Sequence, residues 1–326
     1  MKAYLSSFLV AICFSVAIGY VLIPILRKLK LGQSILNYVT EHNYKSGTPT
    51  MGGLIFICSS VASFFIFACG RKYLSLVSLA VGLSYMSVGI IDDYIKIKLK
   101  HNKGLGGWQK TFFELVIAII VAIFAWLRGL TEVNIPFTKL SVDLGIWFIP
   151  ICILVFLATT NSVNLTDGLD GLAGGVTYIF FMALGVLICL QRRGINANAY
   201  YYEYANLSLF CFSISGAIVG YLLYNTHKAS VFMGDTGSLA LGGLVAILSI
   251  VSGNLLFIPV IGIIYVLSSI SVIMQVAYYK KTKKRIFLMA PLHHHFQHKG
   301  YDESKIAIAY KLATLFLGLI CIISYL

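Results

Sequence analysis

Charge is scarce in this chain. Only 11% of its 326 residues are Asp, Glu, Lys or Arg, whereas a soluble domain carries about a quarter, so a water-facing globular surface is excluded. Acids are scarcer than bases, twelve against 25. There is no low-complexity tail and no repeat period of the solenoid kind. Seven cysteines (Cys13, Cys58, Cys69, Cys152, Cys189, Cys211 and Cys321) are scattered in apolar surroundings without a CxxC pair. That pattern excludes a disulfide framework and leaves them as small core residues.

What the chain has instead is long apolar runs: 59% hydrophobic residues and a mean hydropathy of +0.87. A membrane-crossing helix needs about 20 mostly apolar residues. Ten stretches qualify, at 3–26, 51–69, 73–91, 111–127, 145–160, 171–190, 204–224, 236–251, 254–278 and 305–325. The expectation is an all-α integral membrane protein of about ten spans, residues 1–326 forming one polytopic domain. The first run lacks a strongly basic start and a small-residue cleavage site, and reads as an anchor. Between the fourth and fifth spans, TEVNIPFTKLSVDLG alternates around Pro136 and predicts a short external β-hairpin.

Lys and Arg fall unevenly. Seventeen occupy one set of alternate loops and seven the other, with Lys311 inside the last span. Basic loops stay cytoplasmic, so both termini are expected on the periplasmic side. The net charge of +13 is then a cytoplasmic, lipid-facing property, with no nucleic-acid partner implied.

Five aspartates from three loops gather on that basic side: Asp92, Asp93, Asp167, Asp170 and Asp235. An ionised Asp at mid-bilayer costs roughly 2.5–3.5 kcal/mol, and near the interface less, because water or a cation reaches it. In IIDDYIKIK, Asp92 and Lys96 share a helix face, while Asp92 and Asp93 point about 100° apart. In NSVNLTDGLDG, Asn161, Asn164, Asp167 and Asp170 are three apart. On a regular helix each step drifts by about 60°, which sets Asn161 opposite Asp170 and leaves the other three on a broad face. Gly168 and Gly171 favour an interrupted turn that would keep the row together. In VFMGDTGSLALGG, Asp235 sits between Gly234 and Gly237 at the start of a helix. Hard oxygen ligands from a few carboxylates suit Mg²⁺, which commonly bridges to substrate phosphates. KSGTPTMGG could offer backbone N–H groups to phosphate. APLHHHFQHKG has no accompanying cysteine and fits phosphate contact or acid–base work better than zinc.

KSGTPTMGG, IDDYIK, NSVNLTDGLDGLAGG, VFMGDTGSLALGG and APLHHHF, in this order in alternate loops, resemble the phospho-N-acetylmuramoyl-pentapeptide transferases, a branch of the polyprenyl-phosphate N-acetylhexosamine-1-phosphate transferase superfamily. The resemblance runs from about Lys45 to Phe296. It implies transfer of phospho-MurNAc-pentapeptide from UDP-MurNAc-pentapeptide to undecaprenyl phosphate, giving lipid I and UMP at the cytoplasmic face of a bacterial inner membrane. Mg²⁺ dependence, a homodimer and sensitivity to nucleoside antibiotics are implied with it. Carried over by motif, the catalytic set is Asp92, Asp93, Asp235 and His294. Asp235 would bind Mg²⁺, and Asp92 would be the base acting on the lipid phosphate. The substrate-binding set is Lys45, Thr50, Lys96, Asn161, Asn164, Asp167, Asp170, Asn225, Phe232, His293 and His295, with Phe232 near the uracil ring. Two positions depart from the family pattern: Lys228 stands where proline is usual, and Gln297 where glutamate is usual. A sister transferase acting on UDP-GlcNAc or another UDP-sugar, and an ion-coupled transporter, are the alternative readings.

Overall fold

The computed structural model describes residues 1–29, 47–99, 104–192, 199–226 and 228–326. Lys45 lies outside the described residues.

Among these residues, twelve α-helices and one hairpin follow in order: α1 Lys2–Lys28, α2 Gly53–Phe67, α3 Tyr73–Leu99, α4 Gly107–Leu127, β1 Glu132–Asn134, β2 Ser141–Asp143, α5 Phe148–Thr166, α6 Leu172–Gln191, α7 Ala199–Asn225, α8 Gly234–Val251, α9 Ile258–Ile261, α10 Ile263–Thr282, α11 Leu292–His298 and α12 Glu303–Tyr325. Among the described residues, nine helices are long and apolar enough to cross a membrane, and α2 is a shorter apolar helix beside them. This is an all-α membrane protein. The expected hairpin is present, antiparallel, with Val133 opposite Val142.

The boundaries differ most from the sequence reading at two places. The third span continues past residue 91 to Leu99. At 1.5 Å per residue its 27 residues are about 40 Å long, more than the roughly 30 Å hydrocarbon layer, so its charged last turns project beyond the apolar layer. The (i, i+4) pair Asp92–Lys96 supports that extension. The stretch 254–278 is broken: a tight turn at Leu255–Phe257 leads into α9, and Gly262 separates α9 from α10. Pro259 sits in the first turn of α9, where a missing N–H costs nothing.

Burial orders the bundle. α8 is innermost, with 89% of its span window buried, against 22–28% for α1, α4, α10 and α12. Small residues let neighbours close on it, because in lipid helix association depends on packing and not on water expulsion. A Cβ at Gly89 of α3 would collide with the Asp235 carbonyl, and one at Gly242 of α8 would press on the Thr160 backbone. Buried hydroxyls add cross-links: Ser7 bonds Ser63 at 3.1 Å and Ser213 at 2.5 Å, tying α1, α2 and α7. The N-terminus of this central helix is where the sequence places Asp235.

Candidate active site

The first turn of α8 needs acceptors for its free N–H groups, and Asp93 of α3 supplies them. Its Oδ2 accepts from the Thr236 amide (3.0 Å) and hydroxyl (2.7 Å), and its Oδ1 from the Asp235 amide at 3.2 Å. Gly234 makes this approach possible: its φ is +71°, and a Cβ there would strike Asp93 and Thr50. Asp93 thus serves chiefly to lock α3 to α8 and, through that, to orient Asp235.

One residue earlier on α3, Asp92 is 2% exposed. Its Oδ1 accepts from the Leu105 amide at 2.7 Å, so the segment before α4 folds over it. The Lys96 ammonium lies 2.6 Å from Asp92 Oδ2, 3.0 Å from Asp235 Oδ2 and 3.9 Å from Asp93 Oδ1. Lys110 of α4 reaches the same Asp235 Oδ2 at 2.9 Å. The other oxygen of Asp235 accepts from Asn164 of α5 at 2.7 Å, and Asn164 also donates to Ser238 at 2.8 Å. Four helices therefore converge on one carboxylate.

Asp92, Asp93 and Asp235 each offer an oxygen within 4.8 Å of the others, the one such group of potential metal ligands found among the described residues. The donor set fits a hard divalent cation such as Mg²⁺. A positively charged ammonium already bridges all three carboxylates, so their field is arranged for a cation. Among the described residues, no histidine or cysteine cluster of that kind accompanies it.

The row of four expected between residues 161 and 170 is dispersed. α5 remains regular to Thr166, so steps of three residues drift around the helix by about 60° each. Asn164 faces Asp235, as above. Asn161 instead donates to Glu114 Oε2 at 2.8 Å. Asp167 caps the end of α5; burial, then the Asp235, Asp93 and Asp170 carboxylates, push its carboxyl well above the ordinary range. Asp170 accepts from the Ala229 amide at 3.1 Å, and its own amide donates to Glu303 at 2.7 Å, joining the α5–α6 turn to the loop before α8 and to α12.

Asn225 is a brace in that same loop. It accepts from the Gly171 amide at 3.1 Å and donates to the Val231 carbonyl at 2.9 Å. Phe232 pairs by backbone with the glycine-rich entry to α2, donating to Pro49 and accepting from Gly52, each at 2.8 Å. The Gly53 amide is taken by Met233 at 3.1 Å, so these amides hold the loop and are not free for phosphate. Thr50 lies in the seam with its hydroxyl buried and without a hydrogen-bond partner among the described residues.

The histidine segment forms α11, against the α5–α6 turn. His293 is fully buried with both ring nitrogens unpaired among the described residues, and its ring lies 4.4 Å from that of His294. Burial, then the neighbouring His294, hold its pKa well below the ordinary value, so it is neutral. The His294 Nδ1 pairs with Gln297 Oε1 at 3.1 Å, using the residue that departs from the family pattern. His295 Nδ1 accepts from the Leu288 amide at 3.1 Å and steadies the preceding loop.

Two residues at this centre were not singled out from sequence. Lys110 read as one of many lysines on the basic side, and Glu114 as an acid near a span start. The usable signal was their (i, i+4) spacing on one helix, with the acid inside an apolar run.

Comparison with known proteins follows the same residues. The Glycosyl transferase family 4 profile matches residues 75–253, from α3 to the end of α8. The Phospho-N-acetylmuramoyl-pentapeptide-transferase signature 1 matches residues 45–57. A phospho-N-acetylmuramoyl-pentapeptide-transferase of Thermoanaerobacter sp. (strain X514) is 43% identical, over 94% of this chain and 93% of its own. One from Clostridium novyi (strain NT) is 40% identical, over 99% and 97%. Similarity of this extent, centred on the helices that carry the aspartates, makes the chain a member of the phospho-N-acetylmuramoyl-pentapeptide-transferase family within glycosyl transferase family 4, a membrane-embedded transferase.

Proposed function

We propose that this protein, acting as one catalytic unit, transfers phospho-MurNAc-pentapeptide from UDP-MurNAc-pentapeptide to undecaprenyl phosphate, forming lipid I and releasing UMP. The observation that carries the reading is the convergence of Asp92, Asp93 and Asp235 with Lys96 and Lys110 at one end of the bundle. Phosphoryl transfer depends on positioning and charge neutralisation more than on covalent machinery, and such a cluster provides both.

An oxygen of the lipid phosphate attacks the β-phosphorus of the UDP-sugar; the bond from that phosphorus to the α-phosphate oxygen breaks, and UMP leaves with the electron pair. Asp235 and Asp92 would hold Mg²⁺, with Asp93 behind them. When bound, the ion supplies charge neutralisation for the diphosphate. Lys96 and Lys110 add positive charge for phosphate oxygens. Asp92 orients the attacking phosphate or takes its proton. Asn164 fixes Asp235 in rotation. Asp167, Thr50, Phe232 and His294 lie on segments tied to this centre, and fit contacts to the nucleotide and sugar. The basic loops on the same side favour a cytoplasmic active face.

The test is UMP release and lipid product formation by purified protein with undecaprenyl phosphate, Mg²⁺ and UDP-MurNAc-pentapeptide or UDP-GlcNAc. Turnover of the first nucleotide sugar alone, lost in Asp235→Ala, is the expected result. Turnover of UDP-GlcNAc instead would move the protein to the sister specificity, and no UMP from either would overturn the reading.

A further inference from the structure

Glu114 is fully buried on α4, seven residues into the helix. Its Oε2 is held by Asn161 at 2.8 Å and Thr160 at 3.3 Å, whereas Oε1 is buried with no hydrogen-bond partner among the described residues. A buried carboxylate oxygen left without a donor is costly, so its retention calls for a donor that arrives in another state. One turn earlier on the same face stands Lys110, whose ammonium sits on Asp235 Oδ2 at 2.9 Å.

That oxygen is overcrowded. Lys96 and Lys110 both donate to it, and it belongs to one of the three carboxylates that would offer an oxygen to a divalent cation. An ion and two ammonium groups repel one another on a single carboxylate. Lys96 has a second seat, since Asp92 Oδ2 holds it at 2.6 Å. Lys110 makes no other ion pair among the described residues, and its four-carbon stem can rotate. We propose that Glu114 is the alternate seat of Lys110, accepting its ammonium on Oε1 when a divalent cation takes Asp235. Glu114 is then a positioning residue, coupling metal entry to the swing of Lys110. Asn161 and Thr160 hold its carboxylate by the other oxygen and leave Oε1 for this contact. The inference rests on the reading of Asp235 as a metal ligand.

The test is Mn²⁺ affinity, measured by electron paramagnetic resonance on purified protein in detergent without substrate, thermal unfolding serving as the check on fold. Wild type should bind one Mn²⁺, lost in Asp235→Ala. Glu114→Gln, which keeps the hydrogen bonds to its shape but removes the charge, should weaken Mn²⁺ binding by about tenfold. Lys110→Ala should tighten it several-fold, and in the Lys110→Ala background Glu114→Gln should have no further effect. An unchanged affinity in Glu114→Gln, an equal weakening in the double variant, or no tightening in Lys110→Ala each overturns the proposal while leaving the metal reading intact. Absence of Mn²⁺ binding by the wild type overturns both.

Discussion

Two buried carboxylates do the same local work at different places in this protein. Glu203 of α7 accepts from the amides of Tyr73 (3.2 Å) and Leu74 (2.9 Å) at the start of α3. Asp93 accepts from the amides of Asp235 and Thr236 at the start of α8. Each satisfies helix N-terminal donors and suits the positive end of the helix dipole. Their surroundings differ. Glu203 is balanced by one cation, Arg71 at 3.1 Å, and Asn206 completes the knot by donating to the carbonyls of Cys69 and Arg71, each at 2.8 Å. Around Asp93, among the described residues, three carboxylates share two ammonium groups. A balanced knot holds helices together, whereas carboxylates in excess attract a further cation, and that surplus sets this place apart from a joint.

The sharpest break would come from deleting the acid at each place. Asp235→Ala should lower transfer per folded molecule by about 10³-fold or more. Glu203→Ala should leave turnover per folded molecule unchanged and cost about 1–3 kcal/mol of stability, because two buried amides lose their acceptor. Activity and thermal unfolding of both variants decide it; an inactive but fully stable Glu203→Ala protein would erase the distinction.

Asp92→Asn sharpens the comparison within the centre. It preserves shape and removes charge, and should slow turnover by about 10²–10⁴-fold with the fold intact. Wild-type turnover across the pH range would remove Asp92 from the chemistry.

Gly89→Ala tests whether close helix approach is what delivers Asp235. The added methyl would meet the Asp235 carbonyl, and overpacking of this kind costs about 1–3 kcal/mol. A lower unfolding midpoint with a parallel loss of activity is expected; an alanine accepted without change would show that α3 and α8 can slide.

The smallest effect concerns His293, a buried group outside both knots. Its pKa is lowered in the folded protein, so between that value and about 6.5 the unfolded chain binds more protons. The stability it contributes is present above about pH 6.5 and declines as the pH falls below it. Unfolding midpoints from pH 7 to 5 should fall less steeply for His293→Asn than for wild type; identical slopes would place a titrating proton elsewhere.

The membrane class was legible from composition, because few charges and ten apolar runs leave lipid as the natural surrounding. Asp92, Asp93 and Asp235 stood out for the same reason: in a chain with twelve acids, carboxylates beside apolar runs are costly and therefore informative. The row from Asn161 to Asp170 was misleading as a row, since a regular α5 turns each third residue away from the last. Asn164 reaches Asp235, Asn161 reaches Glu114, and Asp170 reaches Ala229.

The sequence alone determined that the chain lives in lipid and where its helices run, and it singled out the acids beside apolar runs, because hydropathy and the cost of burying charge act locally. Tertiary structure alone decided that Lys110 meets Asp235 across 125 residues, that Asp93 serves the start of α8, and that Glu114 keeps an open oxygen. Those contacts depend on how closely helices pack and how they are rotated. Glycines such as Gly89 and Gly234 permit them, but no local pattern names their partners.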